Sequence, residues 1–295
     1  MDTTKKEFIK MKKDARFVSD WLLRVAEYEG VISKEITEWT KDDALLFYKE
    51  QEMEYIETLY RVNALLQSFI NYCMTKKYVK ENIFLGITIS ELVGTLNLEL
   101  IKKKMVSRET VLSLIQMLLN PCDKFMILAL FEGVRGKNGL GLLEAKLSNI
   151  KGNTLCLLDG SEIKISDKLI EIAKSSAETY EYVSKPAGGT ARVYQMEYDP
   201  DKIIKTMLRK SARNNKANME PGRVYLIRHC KLFAELIGVD VAPIDIMDAG
   251  RFDMVRKIVE KEGSIEKAII KSEEQYGKVS RMSTEVELFK ALLNM

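Results

Sequence analysis

The sequence predicts a mainly α-helical protein with one small antiparallel β-sheet, divided into two domains. Three observations carry that reading. Apolar residues recur at three- and four-residue steps through residues 14–97. A hairpin signal, Asp159-Gly160, interrupts a second helical region further along. Between the two regions the apolar periodicity relaxes over Glu99–Ser107, where Lys102, Lys103 and Lys104 run together. The expected domains are 1–100, all helical, and 105–295, mostly helical with the sheet, joined by a semi-rigid linker.

In the first region Phe17, Trp21, Leu22, Val25 and Tyr28 share one helical face, and Gly30 is the expected stop. Thr40 precedes Lys41-Asp42-Asp43, an N-cap followed by acids that suit the positive end of a helix. A third helix carries Leu59, Val62, Leu65, Leu66, Phe69, Ile70 and Cys73 on a broad apolar face. In the second region residues 108–135 read as two helices separated at Asn120-Pro121. NTLCLLDGSEIKIS then alternates around Asp159-Gly160, where a two-residue turn needs positive φ at both positions. Helices are expected at 167–184, 200–217, 223–237 and 250–293, broken at 186–190 and 242–245.

Composition excludes several function classes. The chain of 295 residues holds a single histidine, His229, too few for a histidine-rich zinc site and leaving one imidazole for any Ser-His-Asp triad. Cys73, Cys122, Cys156 and Cys230 lie far apart with no CxxC pair, which reads as reduced thiols in a cytoplasmic protein rather than a metal site. The N-terminus is charged and no stretch of 18 apolar residues occurs, so neither a signal peptide nor a membrane span is expected. No metal and no cofactor are expected. Lys+Arg at 46 against Asp+Glu at 43 says nothing of partners, so the distribution of charge must.

Three segments concentrate chemistry. On a helix over 200–217, Lys202, Lys205, Arg209, Arg213 and Lys216 would form one cationic stripe, with Lys210 beside it and Ile203, Ile204, Met207 and Leu208 opposite. Like charges so arranged repel one another, which suits either a solvated face or a polyanion outside, DNA phosphates foremost. Next, FEGVRGKNGLGLLEAKLSNI places Gly133, Gly136, Gly139 and Gly141 around Arg135. It lacks the Gly-Lys-Ser/Thr ending and the preceding strand of a nucleotide loop, so the glycines more simply let backbone approach an arginine. Finally, VYLIRHCKLFAELIGVD sets Arg228-His229 within an apolar helix some ninety residues after Arg135.

In this order and at these spacings the segments resemble the tyrosine recombinase (phage integrase) family over roughly residues 14–260. FVSDWLLRVAEYEG and LLQSFINYCMTKKYVKENIF resemble its helical core-binding domain. SRETVLSLIQMLL, FMILALFEGVRG and LEAKLSNI resemble the start of its catalytic domain, the hairpin at 153–166 its small sheet, and YLIRHCKLFAELIGVD its His-x-x-Arg-His box. The resemblance implies a two-domain recombinase-like fold, with Arg135 and Arg228 as a clamp on a DNA phosphate. Guanidinium suits that role because its fork matches phosphate oxygens.

The remaining family positions are altered. The hairpin turn holds no lysine; Lys164 lies on the following strand. Tyr225 opens the box in place of histidine, Gly250-Arg251 replaces a Gly-His pair, and Glu260 stands where the nucleophilic tyrosine belongs. A carboxylate there would give an unstable mixed anhydride instead of a phosphotyrosine link. The resemblance therefore implies a sequence-specific DNA-binding protein without catalysis, similar to recombinase-fold lysogeny repressors of Bacillus temperate phages. Its DNA-phosphate residues would be Arg135, Arg228, Tyr225 and Arg251, and its other DNA-binding residues Lys205, Arg209, Lys210, Arg213 and Lys216. Two alternatives stay open: an atypical recombinase using Tyr276, some sixteen residues late, or an accessory factor in recombination. The expected partner is double-stranded DNA, with self-association and a regulatory protein or peptide as open questions. The expected setting is the cytoplasm of a bacterium or phage-infected host.

Overall fold

The structure, a computed structural model, describes residues 2–136, 139–184, 190–208, 223–278 and 280–295. Its helices in chain order are α1 (Thr3–Lys10), α2 (Ala15–Ile32), α3 (Lys41–Glu50), α4 (Ile56–Thr75), α5 (Ile89–Val93), α6 (Leu98–Lys104), α7 (Arg108–Ile115), α8 (Pro121–Phe131), α9 (Leu140–Leu143), α10 (Asp167–Glu178), α11 (Arg223–Ile237), α12 (Pro243–Glu262), α13 (Ile265–Tyr276) and α14 (Met282–Leu293). The strands are β1 (Ile150–Lys151), β2 (Thr154–Cys156), β3 (Glu162–Lys164), β4 (Glu181–Ser184) and β5 (Arg192–Gln195). The fold is mainly helical with small antiparallel sheets. It divides into two compact units, Met1–Ile101 with Arg281–Met295, and Lys102–Ser280.

The first unit is held by aromatic packing. Tyr28 meets Trp39 edge-on at 5.4 Å between centroids, and Trp39 meets Phe47 at the same separation. Beneath them Leu59, Val62, Leu66, Phe69 and Cys73 of α4 are buried. The Thr40 cap forms as expected: its side chain accepts from the Asp43 amide and Asp43 accepts from the Thr40 amide, closing a capping box. Gly30 does not stop α2. The helix runs two residues further and ends where Ser33 turns left-handed, φ 53°. The C-terminal helix α14 belongs to this unit as well. It packs on α5, buries Val286, Phe289 and Leu292, and hydrogen-bonds Thr284 to the Tyr60 hydroxyl at 3.1 Å.

The second unit is built around α8, whose residues from Phe125 to Phe131 are all buried. An apolar sequence on every side makes a central helix, and α7, α10, α11 and α12 surround it. Pro121 starts α8 at its first turn, where a missing N–H costs nothing. β1, β2 and β3 form one antiparallel sheet, with Leu155 paired to Ile150 and to Ile163. The expected two-residue turn is a three-residue loop instead. The Leu157 amide bonds to the Ser161 carbonyl, and only Gly160 takes positive φ, 83°.

Other boundaries also shift. The helix read over 167–184 ends at Glu178, and β4 follows, paired with β5 through Tyr182 and Tyr194. The long helix read over 250–293 is three helices: α12 starts earlier, at Pro243, and Gly263, φ 72°, closes it. The three-lysine run is not a relaxed linker. It lies in α6, and the Lys104 ammonium is buried 3.3 Å from the Asp245 carboxylate. No helix of the described residues is long and apolar enough to cross a membrane.

Candidate nucleic-acid interface

Helix α11 is oriented by its one histidine. His229 is buried, and its Nδ1 lies 2.5 Å from Asp123 Oδ1 in the first turn of α8. Asp123 also accepts from the Asn120 amide at 2.9 Å and the Tyr182 hydroxyl at 3.3 Å. Asn120 in turn holds β4, donating to the Val183 carbonyl at 3.0 Å and accepting from the Val183 amide at 2.8 Å. With His229 locked inward, Arg228 beside it is exposed. Tyr225, one turn earlier, lies against the His229 ring, tilted by 34° with centroids 4.1 Å apart. Its hydroxyl is buried without a partner among the described residues, and burial pushes its pKa upward. A buried hydroxyl left open in this way costs stability unless something else completes it.

Arg135 leaves α8 through a glycine-built turn. Gly133 and Gly136 take φ of 84° and 65°, and the Arg135 carbonyl accepts from the Leu142 amide at 3.2 Å. A Cβ on Gly136 would stand 2.6 Å from the Gly141 Cα, so the loop doubles back with backbone on backbone. Further along, a Cβ on Gly139 would come 3.1 Å from Leu226 Cδ2, which puts this loop against α11 two residues before Arg228. Neither Arg135 nor Arg228 makes an ion pair among the described residues. By contrast Arg108 is paired with Glu132 at 2.7 Å, and Arg256 with Asp253 and Glu260, each at 2.8 Å.

Arg251, in α12, packs against α13. Its Nε donates to the Ser272 hydroxyl at 3.0 Å and its Nη2 is buried with no partner among the described residues. The contacts of Tyr225 and those of Arg251 share no side chain. Glu260, in the place of the family's nucleophile, is an exposed partner of Arg256 one turn back. Tyr276 ends α13. Its hydroxyl donates to the Phe131 carbonyl at 2.7 Å, and burial raises its pKa, the reverse of what activates a phenol. Beside it Arg108, Lys164, Asp253, Lys257 and Gln275 line an open cleft of about 370 Å³.

The cationic stripe does not form as a helix where the chain is described. Residues 200–208 are irregular, bending at 200–201 and 203–204, with isolated bridges pairing Lys202 with Lys146 and Met207 with Met196, and with Ile203 and Ile204 fully buried. Lys205 is buried too. Its ammonium donates to the carbonyls of Ser176 (3.2 Å), Ala177 and Thr179 (3.3 Å), and lies 4.5 Å over the Tyr180 ring. It closes the C-terminal end of α10, where carbonyls lack helical partners. Lys205 therefore leaves the set of DNA-facing residues. Arg209, Lys210, Arg213 and Lys216 lie outside the described residues.

Residues 105–295 match the family model described as MrpR, C-terminal catalytic domain, well over half of the chain. The chain belongs to this family. The MrpR domain is a recombinase-type catalytic domain, consistent with α7, α10, α11 and α12 packed around α8 and with the three-stranded sheet. The MrpR match extends through α14, which clusters here with the first unit. No curated protein matches the chain. Asp123, Asn120 and Tyr182, which brace the MrpR domain's histidine, carried no mark in the sequence. An acid in the first turn of a helix reads as ordinary dipole compensation. The closeness of Gly133 to Tyr276 was equally hidden.

Proposed function

We propose that this protein binds double-stranded DNA through a recombinase-type domain, gripping the backbone without cutting it, and acts as a sequence-specific transcriptional repressor of the phage lysogeny kind. One observation supports the reading: Arg135 and Arg228, the two arginines of the family pattern, make no ion pair among the described residues, and the glycine loop after Arg135 comes against Leu226 of the helix that carries Arg228. An unpaired guanidinium is best accounted for by an anion brought from outside, and a DNA diester supplies one. Tyr225, with its open buried hydroxyl on the same helix, fits as a further donor. Arg251 is the fourth candidate, its Nη2 unfilled. Arg209, Lys210, Arg213 and Lys216 are proposed to add backbone contacts.

The absence of chemistry rests on Glu260, which pairs with Arg256 in the nucleophile's position, and on Tyr276, whose hydroxyl is committed to a carbonyl. A second reading, a recombinase using Tyr276, is favoured by the catalytic designation of the family's domain. Two assays run on the same DNA separate them. Arg135→Ala and Arg228→Ala are each expected to weaken DNA binding about tenfold or more, through loss of charge-assisted contacts of about 1.5–3 kcal/mol, without early melting. A nicked suicide substrate is expected to trap no covalent adduct. An adduct formed by the wild-type chain and lost in Tyr276→Phe would overturn the non-catalytic reading.

A further inference from the structure

We infer that Gln275 and Tyr276, at the end of α13, latch the loop that carries Arg135 and so act as positioning residues for DNA binding; the inference rests on the role proposed above for Arg135. A helix ends with carbonyls that have no partner in the helix. At the end of α8 those carbonyls are taken by α13: Phe131 O accepts from the Tyr276 hydroxyl at 2.7 Å, and Glu132 O accepts from the Gln275 amide. The same Gln275 amide reaches Lys164 O on β3 at 2.7 Å, tying the sheet to the helix end.

The side chain of Glu132 is fixed as firmly as its backbone. It pairs with Arg108 at 2.7 Å and accepts from the Ser166 amide at 2.9 Å and hydroxyl at 2.6 Å. Arg135 follows three residues later, with Val134 between them fully buried.

The fit is built, since two glycines exist to admit it. A Cβ on Gly133 would stand 2.6 Å from the Gln275 carbonyl oxygen and 3.2 Å from Tyr276 Cδ1. A Cβ on Gly250 would stand 1.8 Å from Phe131 O and 2.8 Å from the Tyr276 hydroxyl. Both distances at Gly250 lie inside van der Waals contact, so α12 crosses α8 where only a hydrogen can pass. Burial raises the Tyr276 pKa above that of an ordinary phenol, so at neutral pH the hydroxyl is protonated and can donate. No described residue pairs with the Arg135 guanidinium, so what the turn fixes is the backbone from which that side chain projects. Sequence alone offers Tyr276 a role only as a nucleophile, so in a protein that does not cut DNA it gives Tyr276→Phe no effect to have. The geometry makes that substitution a loss.

The test uses the full chain and a fluorescein-labelled mixed-sequence duplex at low salt, titrated by anisotropy, with Tyr276→Phe, Gln275→Met, Arg135→Ala and the Tyr276→Phe/Arg135→Ala double variant. Tyr276→Phe is expected to weaken binding about three- to tenfold, the worth of one hydrogen bond. It should lower the salt slope by up to about one, as loss of one phosphate contact does, and add nothing once Arg135 is gone. Hydrogen exchange without DNA is expected to quicken at residues 130–136 and not across the unit. Unchanged affinity in both latch variants, or an effect of Tyr276→Phe that survives in the Arg135→Ala background, overturns the latch. No binding by the wild-type chain, or full binding by Arg135→Ala, overturns the DNA-binding role itself, and the exchange measurement then still reports whether the turn is latched.

Discussion

The carboxylate of Asp123 and the imidazole of His229 meet at 2.5 Å across α8 and α11, both buried, and Asp123 is also the acceptor for Asn120 and Tyr182. A carboxylate can only accept, so Nδ1 carries the hydrogen between them. One acid thus fixes the start of α8, the strand that Asn120 holds and the rotation of α11 that turns Arg228 outward. Asp123→Ala would leave three buried donors without an acceptor. The expected cost is at least about 3 kcal/mol, read as a lowered urea midpoint, with the Tyr182→Phe cost near 1 kcal/mol. Equal costs for the two would mean that the acid is not the hub.

Two glycines are expected to respond oppositely to alanine. A methyl at Gly250 has nowhere to go with Phe131 O at 1.8 Å, so Gly250→Ala should cost about 3 kcal/mol or more. Gly30 lies in the last turn of α2 with nothing within 4 Å of its Cβ position, so Gly30→Ala should stabilise by up to about 0.5–1 kcal/mol. Differential scanning calorimetry of the two variants checks both signs at once.

Lys205 separates a structural cation from a DNA-binding one. Removing its ammonium takes the side-chain donor from the Ala177 and Thr179 carbonyls and leaves Ser176 O with the Thr179 amide alone. Lys205→Met should therefore lower the melting temperature, by an amount corresponding to about 1–3 kcal/mol, while the slope of log affinity against log salt stays as in the wild type. A slope reduced by one with an unchanged melt would return Lys205 to the DNA surface.

Acid should weaken the protein through its capping carboxylates. Asp43 is held at about 2 by Lys34 and the Thr40 backbone, against an ordinary 3.8. Glu91 is held at about 2 by Lys41 and the Thr88 backbone, and Glu109 at about 2 by its own amide, Ser107 and Lys257, each against an ordinary 4.5. A folded-state pKa below the unfolded value means that the unfolded chain binds more protons as pH falls. The stabilisation is thus present in full above those ordinary values and is lost as pH drops through about 2. Melting temperatures by circular dichroism should be flat from pH 7 to about 5 and fall steeply below about 4. A flat profile to pH 2.5 would refute the assignment.

Much of the local architecture was readable from residue order because its causes are local. The Thr40–Asp43 box, Pro121 at the first turn of α8 and the broad apolar face of α4 each depend on neighbours within a few positions. Where a second segment decides the outcome, the reading went astray. Residues 200–208 have helical spacing of lysines and isoleucines, yet they form no helix, because α10 offers carbonyls to Lys205 and the core takes Ile203 and Ile204. The same lysine reads as a surface charge in one dimension and as a helix cap in three.

By itself the sequence determined the class of the fold, the recombinase-type family of residues 105–295, and the arginines and altered positions on which a functional reading turns. Residue identity and spacing along the chain are enough for that. Only the tertiary structure decided which charges are free and which are spent: Arg135 and Arg228 without an acid among the described residues, Glu260 on Arg256, Lys205 on the end of α10, Tyr276 on Phe131. Those outcomes depend on which groups far apart in sequence come within about 3 Å of one another, the range in which hydrogen bonds and ion pairs act. Spacing along the chain carries no record of that distance.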